Sequence, residues 1–181
     1  MDADKNAKLR DGLDAALSNL MAVLPGADNE PGWEIPTGEE GWTVRQMLAH
    51  LAVAEASMNL LVEHAIRVAG AGGPASELVQ TGSDGRPFDI DFWNSRQVAK
   101  RADHPPSALR LELTETRAKT LRALKNRSLD ELATAAWHPT IGATTVEGMY
   151  KIMSIHMRDH TRAVKKALRE GLHGRYWADV E

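Results

Sequence analysis

Apolar residues recur along most of the chain at intervals of three and four, the period of an amphipathic α-helix. The first apolar stripe consists of Leu9, Leu13, Leu17, Leu20 and Leu24. It predicts a helix from about Asp4 to Leu24, which Pro25-Gly26 ends. A loop rich in glycine, proline and glutamate then leads to Trp42.

The second helix has a well-defined predicted start, because Thr43 and Gln46 have the spacing of a capping box. Its apolar stripe continues to about Gly70, just before further glycines and a proline. The connection over 71–87 contains turn-forming residues and is long enough to cross the end of a helical bundle. The next helix therefore need not run antiparallel to the second one.

A third helix is predicted from near Asp89, with a bend at Pro105-Pro106 and an apolar stripe that continues to Leu124. Two more capping-box pairs mark the starts of a short helix and of the last long helix, namely Ser128 with Glu131 and Thr144 with Glu147. A loop is expected between them around 137–139, and the last helix is expected to end near Glu170.

Four long helices with short additional turns predict an all-α fold, a four-helix bundle that forms a single domain over residues 1–181. A period-two strand pattern is absent from the sequence. The composition is that of a globular chain, with 43% apolar and 26% charged residues.

Charge and hydropathy exclude several classes of partner. The formal charge of -3 gives no electrostatic reason to expect a nucleic-acid partner. No apolar run is long enough to span a bilayer, and acidic residues near the N-terminus are incompatible with a signal peptide. The absence of cysteine excludes disulfides, thiolate ligands and a cysteine nucleophile, and fits a reducing compartment. We therefore expect a cytoplasmic protein without nucleic-acid or membrane partners.

Three histidines form the sharpest functional pattern in the sequence. His156 and His160 are four residues apart on the predicted inner face of the last helix, so their side chains project together. His50 lies beside the apolar stripe of the second helix. A buried imidazole without partners costs about 1–3 kcal/mol, so three converging imidazoles would need a ligand to organise them. The pattern predicts a metal site with three histidine ligands.

A structural interpretation of the same residues is also open. A single histidine on an apolar face is more often a satisfied core residue than a metal ligand, and seven histidines make one i, i+4 pair unremarkable. Four histidines receive no predicted role: His64, His104, His138 and His173.

Two known helical metal motifs are excluded by the neighbouring residues. The zinc-protease motif needs a glutamate directly after the first histidine, where this chain has Met157. A di-iron bundle needs paired Glu-x-x-His motifs, and the chain has only Glu170 to His173, which Gly171 interrupts.

Three segments resemble the DinB/YfiT-like helical bundles of bacteria, which include the DfsB-like and mycothiol-dependent maleylpyruvate isomerase-like branches. These segments are 42–51 (WTVRQMLAHL), 88–94 (FDIDFWN) and 156–160 (HMRDH). The resemblance implies a four-helix bundle that holds a divalent metal through one histidine of the second helix and two of the last. The matching residues here are His50, His156 and His160.

The resemblance also implies a reaction, though less specifically. Some similar proteins are thiol transferases or isomerases that use a small thiol such as mycothiol, bacillithiol or glutathione, and many others have no established activity. Three imidazoles leave coordination positions open, where a metal lowers the pKa of bound water or thiol. Because the chain has no cysteine, we expect the thiol to come from a cosubstrate that attacks a small electrophile. Zinc or nickel suits such ligands best, with iron, manganese or copper as alternatives.

The surroundings of the site are harder to predict. Trp93 and Asn94 border the site or pack at a helix end, and the loop with Trp33, Glu39 and Glu40 covers the site or merely connects helices. Arg158, Asp159 and Glu55 are expected to point away from the metal face. A basic stripe on the last helix is expected to be a solvated face, with binding of an acidic thiol as the alternative; it comprises Arg158, Arg162, Lys165, Lys166 and Arg169.

Three functions remain compatible with the sequence. The first is a metal-dependent transferase, isomerase or hydrolase that acts on a small molecule. The second is a non-enzymatic, stress-related bundle that binds a metal or a small molecule. The third is a metal-free structural homodimer in which the three histidines are satisfied by protein groups.

Overall fold

The computed structural model describes residues 2–38, 41–73 and 88–178, and most of these residues are helical. The helices are α1 (Asp2–Val23), α2 (Val44–Gly70), α3 (Ile90–Ala99), α4 (Pro106–Lys125), α5 (Leu129–Ala133) and α6 (Val146–Ala178). A two-stranded antiparallel hairpin, β1 (Ala135–His138) and β2 (Gly142–Thr145), joins α5 to α6. A single 3₁₀ turn, Pro31–Glu34, interrupts the loop between α1 and α2.

The four long helices form a closed ring of contacts. α1 packs against α4 and α6, and α2 packs against the same two helices, while α3 and β1 lie against α2. This arrangement confirms the predicted four-helix bundle with additional short helices. Of the helices described, none combines the length and the apolarity needed to cross a membrane.

Local signals in the sequence fix two of the helix starts. Thr43 Oγ1 accepts a hydrogen bond from the backbone N–H of Gln46, whose side chain accepts from Thr43 N–H at 2.9 Å, and Ser128 and Glu131 form the same reciprocal pair. Both predicted capping boxes are confirmed.

The start of the last long helix differs from the prediction. Thr144 lies in β2, where it pairs with Ala136, and it is two residues before Val146, the first residue of α6, which is one position too early for the N-cap. The next residue caps the helix instead, since Thr145 Oγ1 accepts from the backbone N–H of Gly148 at 3.1 Å.

Two predicted boundaries are wrong for reasons of packing and backbone chemistry. The third helix is broken rather than bent, because α4 restarts with Pro106 in its first turn, where the missing N–H costs nothing. The last helix passes Gly171 and continues to Ala178. A Cβ on Gly171 would come within 2.7 Å of Ile35 Cγ2, so this glycine allows close packing rather than ending the helix.

The loop predicted around 137–139 is also wrong, because Trp137 and His138 belong to β1. The two strands have four residues each, too few to produce a visible period-two pattern. Gly142, with φ of 82°, lets the chain return after the turn.

The core consists of two apolar clusters with a polar layer between them. One cluster lies near the start of α2 and includes Trp33, Met47, Leu51, Leu113 and Val164. The other lies near the hairpin and includes Leu13, Val62, Leu124, Leu132 and Met149. Between them, Glu55 and Arg117 form an ion pair with side chains only 3% and 1% exposed.

The buried ion pair is part of a network that joins all four long helices. Arg117 donates to both Glu55 carboxylate oxygens at 2.7 Å, to the carbonyl of Leu13, and to Met157 Sδ at 3.4 Å. Thr120 Oγ1 donates to the same carboxylate at 2.8 Å. Glu55 therefore points toward α4, away from the histidines, as its spacing from His50 predicts.

Candidate metal centre

The structure brings the three predicted histidines together at one point in the bundle. His50 lies on α2, and His156 and His160 lie one turn apart on α6. The Nε2 atom of His156 is 3.2 Å from His50 Nε2 and 3.0 Å from His160 Nε2. One ring nitrogen from each of the three lies within 4.8 Å of the other two.

Burial keeps two of these imidazoles neutral. His50 is 4% exposed, and burial, with a smaller contribution from His160, lowers its pKa from 6.5 to about 3. Burial, together with His160, His50 and His138, lowers the pKa of His156 to about 2. At neutral pH both rings therefore have an uncharged nitrogen lone pair available to a ligand.

A metal ion fits this donor set better than hydrogen bonds among the rings do. A neutral imidazole nitrogen offers either one proton or one lone pair, so the two neighbours of His156 Nε2 would at best have to share it. Three lone pairs directed at a common cation remove this conflict. A tetrahedral zinc site with bonds of about 2.0–2.1 Å places its nitrogens about 3.3 Å apart, close to the 3.2 and 3.0 Å that separate His156 Nε2 from its two neighbours.

The orientation of His50 is set by packing. Its Nδ1 atom is buried, and no hydrogen-bond partner for it lies among the described residues. The Trp42 ring lies against the imidazole instead, with 4.8 Å between the ring centroids. Removing Trp42 would therefore free this ring to rotate.

His50 and His156 line a cavity of about 290 Å³ between α2, α3, the hairpin and α6. Its lining is largely apolar and includes Met58, Leu61, Ile90, Trp93, Ile141, Ile152 and Ile155. Trp93 and Asn94 therefore border the site, which resolves the alternative that the sequence left open. The cavity is slightly smaller than most small-molecule sites.

His138 is a cavity residue that the sequence did not single out. The hairpin places its ring in the lining together with His50 and His156. No sequence pattern indicates this position, because it depends on the register of a hairpin with four-residue strands. His64 and His104 lie away from the cavity, and the side chain of His173 is outside the described part of the structure.

A second groove, of about 620 Å³, adjoins the first cavity and shares Ile155 and Asp159 with it. Three cations of the basic stripe line this groove, namely Arg158, Arg162 and Lys165, whereas Lys166 and Arg169 do not. Asp159 does form the expected surface ion pair with Arg162. The prediction that Asp159 points away is nevertheless wrong, because it lines both cavities.

The loop before α2 has a structural role where it is described. Trp33 is 1% exposed, its Nε1 donates to the Ala27 carbonyl at 2.8 Å, and the Arg110 guanidinium lies 5.2 Å from the ring centroid. Trp33 therefore anchors the loop in the core and does not cover the cavity. Glu39 and Glu40 lie outside the described residues.

The fold and the three-histidine group are those of a four-helix bundle with a candidate metal centre. The sequence also places the chain in one family. The model of the mycothiol maleylpyruvate isomerase N-terminal domain family matches residues 12–162, so the chain belongs to this family. The resemblance to DinB/YfiT-like bundles is confirmed by this match and by the solved structures below. No curated protein matches the chain significantly.

Three solved structures share the fold. YfiT from Bacillus subtilis, described as a probable metal-dependent hydrolase with an unusual four-helix bundle topology, superposes with a TM-score of 0.65 and 21% identity, over 94% of this chain and 89% of that one. An uncharacterised protein from Escherichia coli UTI89 superposes with a TM-score of 0.64 and 15% identity, over 92% of this chain and 94% of that one. The mycothiol-dependent maleylpyruvate isomerase superposes with a TM-score of 0.60 and 17% identity, over 91% of this chain and 61% of the isomerase.

The lowered histidine pKa values predict acid sensitivity of the metal-free protein. An imidazole that stays neutral when folded but takes up a proton on unfolding makes the protein less stable as the pH falls below 6.5. His50 and His156 should each contribute up to ~1.4 kcal/mol per pH unit, until the pH reaches their folded pKa values. Urea unfolding of chelated protein between about pH 7 and 5 measures this slope, and His50→Gln should reduce it. A slope unchanged in that variant would contradict the prediction.

Proposed function

We propose that this protein is a metal-dependent enzyme that uses a small thiol cosubstrate. The enzyme either transfers the thiol to a small electrophile or uses the thiol to isomerise that electrophile. The proposed metal ligands are His50, His156 and His160, and the metal is zinc or nickel. The convergence of the three Nε2 atoms beside an apolar cavity is the observation that supports the proposal most directly. Membership of a family named for a mycothiol-dependent isomerase supports the choice of a thiol.

The residues of the site have two roles: the histidines would bind the metal, and the apolar lining of the cavity excludes water. A divalent metal held here would lower the pKa of a thiol or water molecule bound at its open side. The neutral rings of His50 and His156 supply lone pairs without prior loss of a proton. The apolar lining of the cavity excludes water from the electrophile and so limits hydrolysis. Since the chain has no cysteine, the sulfur must arrive with the cosubstrate.

The second groove suits the polar body of that cosubstrate. It adjoins the cavity at Ile155 and Asp159, and it presents Arg158, Arg162 and Lys165. Acidic or sugar-linked thiols carry carboxylates and hydroxyls that such cations bind. The sulfur would then reach the cavity while the rest of the molecule stays in the groove.

A thiol-consumption assay tests the proposed function. Untagged protein is incubated with monochlorobimane and, in turn, mycothiol, bacillithiol or glutathione, and thioether formation is followed by fluorescence. We expect one thiol to support turnover above the spontaneous rate, chelation to abolish it, and zinc or nickel to restore it. Metal-loaded protein that accelerates the reaction of none of the three thiols would contradict the proposal and favour a non-enzymatic metal-binding bundle.

Hydrolysis is the second candidate function. The structural neighbour YfiT is described as a probable metal-dependent hydrolase, and the same site could activate water instead of a thiol. Turnover of ester or amide substrates without any thiol would favour this alternative. A strict thiol requirement would exclude it for the substrates tried.

Charge reversal in the second groove provides a specific prediction. Lys165→Glu should raise the KM for an acidic thiol about fivefold and leave kcat nearly unchanged, because one favourable charge contact becomes repulsive. Lys166→Glu is the matched control, since it makes the same charge change on the next residue, outside the groove. Equal effects of the two variants would indicate a general surface-charge effect instead of a binding groove.

A further inference from the structure

His138 has a fixed hydrogen-bonding arrangement at the edge of the cavity. Its Nδ1 accepts hydrogen bonds from the backbone N–H groups of Thr140 at 3.2 Å and Ile141 at 3.4 Å. An atom that accepts from two N–H groups cannot itself hold a proton. The neutral ring therefore has its proton on Nε2, the nitrogen on the opposite edge of the ring.

The neutral form of His138 is also the favoured one. Partial burial lowers the pKa of His138 below its ordinary value. Protonation would in addition place an N–H on Nδ1 against two backbone N–H donors. Because the ring lines the cavity, it offers a bound ligand an uncharged N–H donor.

The remaining lining residues restrict the charge and polarity of the ligand. Among the described residues of the lining, none is a lysine or arginine, and Asp159 is the sole carboxylate. Ser57 lines the cavity, but its hydroxyl already donates to the carbonyl of Val53 at 2.9 Å. Apart from a metal held by the histidines, an anionic ligand would find no cation in this part of the wall. The lining instead favours an apolar body with a polar atom that can accept a hydrogen bond.

We propose that the cavity binds a compact, uncharged, largely apolar molecule with a carbonyl oxygen, and that His138 Nε2–H donates a hydrogen bond to this oxygen. The inference rests on the proposed function in one respect, since it names the class of electrophile that the thiol would attack. A hydrogen bond to the carbonyl oxygen makes the adjoining carbon more electrophilic, and a neutral imidazole donor can do this without losing its proton. His138 would thus contact the substrate without binding the metal.

Two probes of similar shape separate the hydrogen bond from the apolar contacts. Acetophenone has a carbonyl oxygen, whereas α-methylstyrene has a methylene group in its place. Dissociation constants are measured by Trp fluorescence on the protein as purified and after chelation. His138→Phe should weaken acetophenone binding about five- to tenfold, the value of one hydrogen bond, and should change α-methylstyrene binding by less than about twofold. His138→Gln, whose amide N–H can replace Nε2–H, should retain most of the acetophenone affinity.

Two spectroscopic measurements complement these affinities, and the second needs only the wild-type protein. The carbonyl stretching band of bound acetophenone should lie at lower frequency in the wild type and in His138→Gln than in His138→Phe. In ¹⁵N-labelled wild-type protein, the Nδ1 resonance of His138 should show an unprotonated nitrogen at neutral pH.

Several results would overturn the inference: failure of both probes to bind, equal weakening of both in His138→Phe, or a protonated Nδ1 in the wild type. The thiol-consumption assay is independent of these measurements. A negative assay together with selective acetophenone binding would overturn only the proposed function. A positive assay with non-selective binding would overturn only the role of His138.

Discussion

His156→Ala is expected to weaken metal binding by two to three orders of magnitude and to reduce thiol-dependent turnover to the spontaneous rate. Structural zinc sites with four protein ligands bind with about 10–16 kcal/mol, so one ligand accounts for roughly 2.5–4 kcal/mol, and we expect a similar share for one histidine here. His156 is the central ligand, because its Nε2 contacts the Nε2 atoms of both other histidines. Competition with a fluorescent chelator measures the affinity, and the thioether assay measures turnover.

His64→Ala is the matched control for this substitution. His64 is also a histidine within a helix, but its Nδ1 contacts the Arg67 guanidinium at 2.7 Å and it lies outside the cavity. The control should retain both metal and activity. Stoichiometric metal in His156→Ala at wild-type affinity would show that the three histidines are not the ligands and would favour a structural role for them.

Arg117→Leu is expected to destabilise the protein by about 3–5 kcal/mol, because it leaves the Glu55 carboxylate buried without its cation. For a chain of this size the loss corresponds to a fall in Tm of about 10 °C. The substitution also removes the hydrogen bonds of Arg117 to the Leu13 carbonyl and to Met157 Sδ. The two apolar clusters, to which Leu13 and Met157 belong, then lose the polar link between them. Urea unfolding of chelated and metal-loaded protein measures the effect.

Two controls distinguish the cost of leaving a buried charge unpaired from the cost of losing any ion pair. The double variant Glu55→Leu/Arg117→Leu removes both charges and should recover most of the lost stability. Arg101→Leu breaks a pair with the same two-oxygen geometry, to Glu112, but these side chains are 20% and 32% exposed. Arg101→Leu should lower the free energy of unfolding by less than ~1 kcal/mol. An equal loss in Arg117→Leu and Arg101→Leu would contradict the account of the buried network.

The helices were predictable where local chemistry determines them. Capping boxes at Thr43 and Ser128 and the spacing of leucines in α1 act within a few residues of the chain, so the sequence shows them directly. Contacts between distant residues decide the remainder. Gly171 is a helix residue because α6 passes close to Ile35, and no pattern near Gly171 contains that information.

The candidate site shows the same division between local and distant information. His156 and His160 share a face because helical geometry places them there. The position of His50 beside an apolar stripe suggested its pairing with them, and the resemblance supported it. The roles of Asp159 and His138 in the cavity walls depend on how α6 and the hairpin pack, which spacing along the chain does not encode. The buried partner of Glu55, Arg117, is 62 residues away in sequence and was likewise not predictable.

The most direct test of the central claim is anomalous diffraction from crystals of untagged protein prepared without a chelator. Data collected on both sides of the zinc and nickel absorption edges locate and identify any bound metal. We predict one anomalous peak per chain, at about 2.0–2.3 Å from the Nε2 atoms of His50, His156 and His160, with the open side facing the cavity. Absence of a peak after soaking with zinc or nickel, or a peak bound by other residues, would contradict the claim.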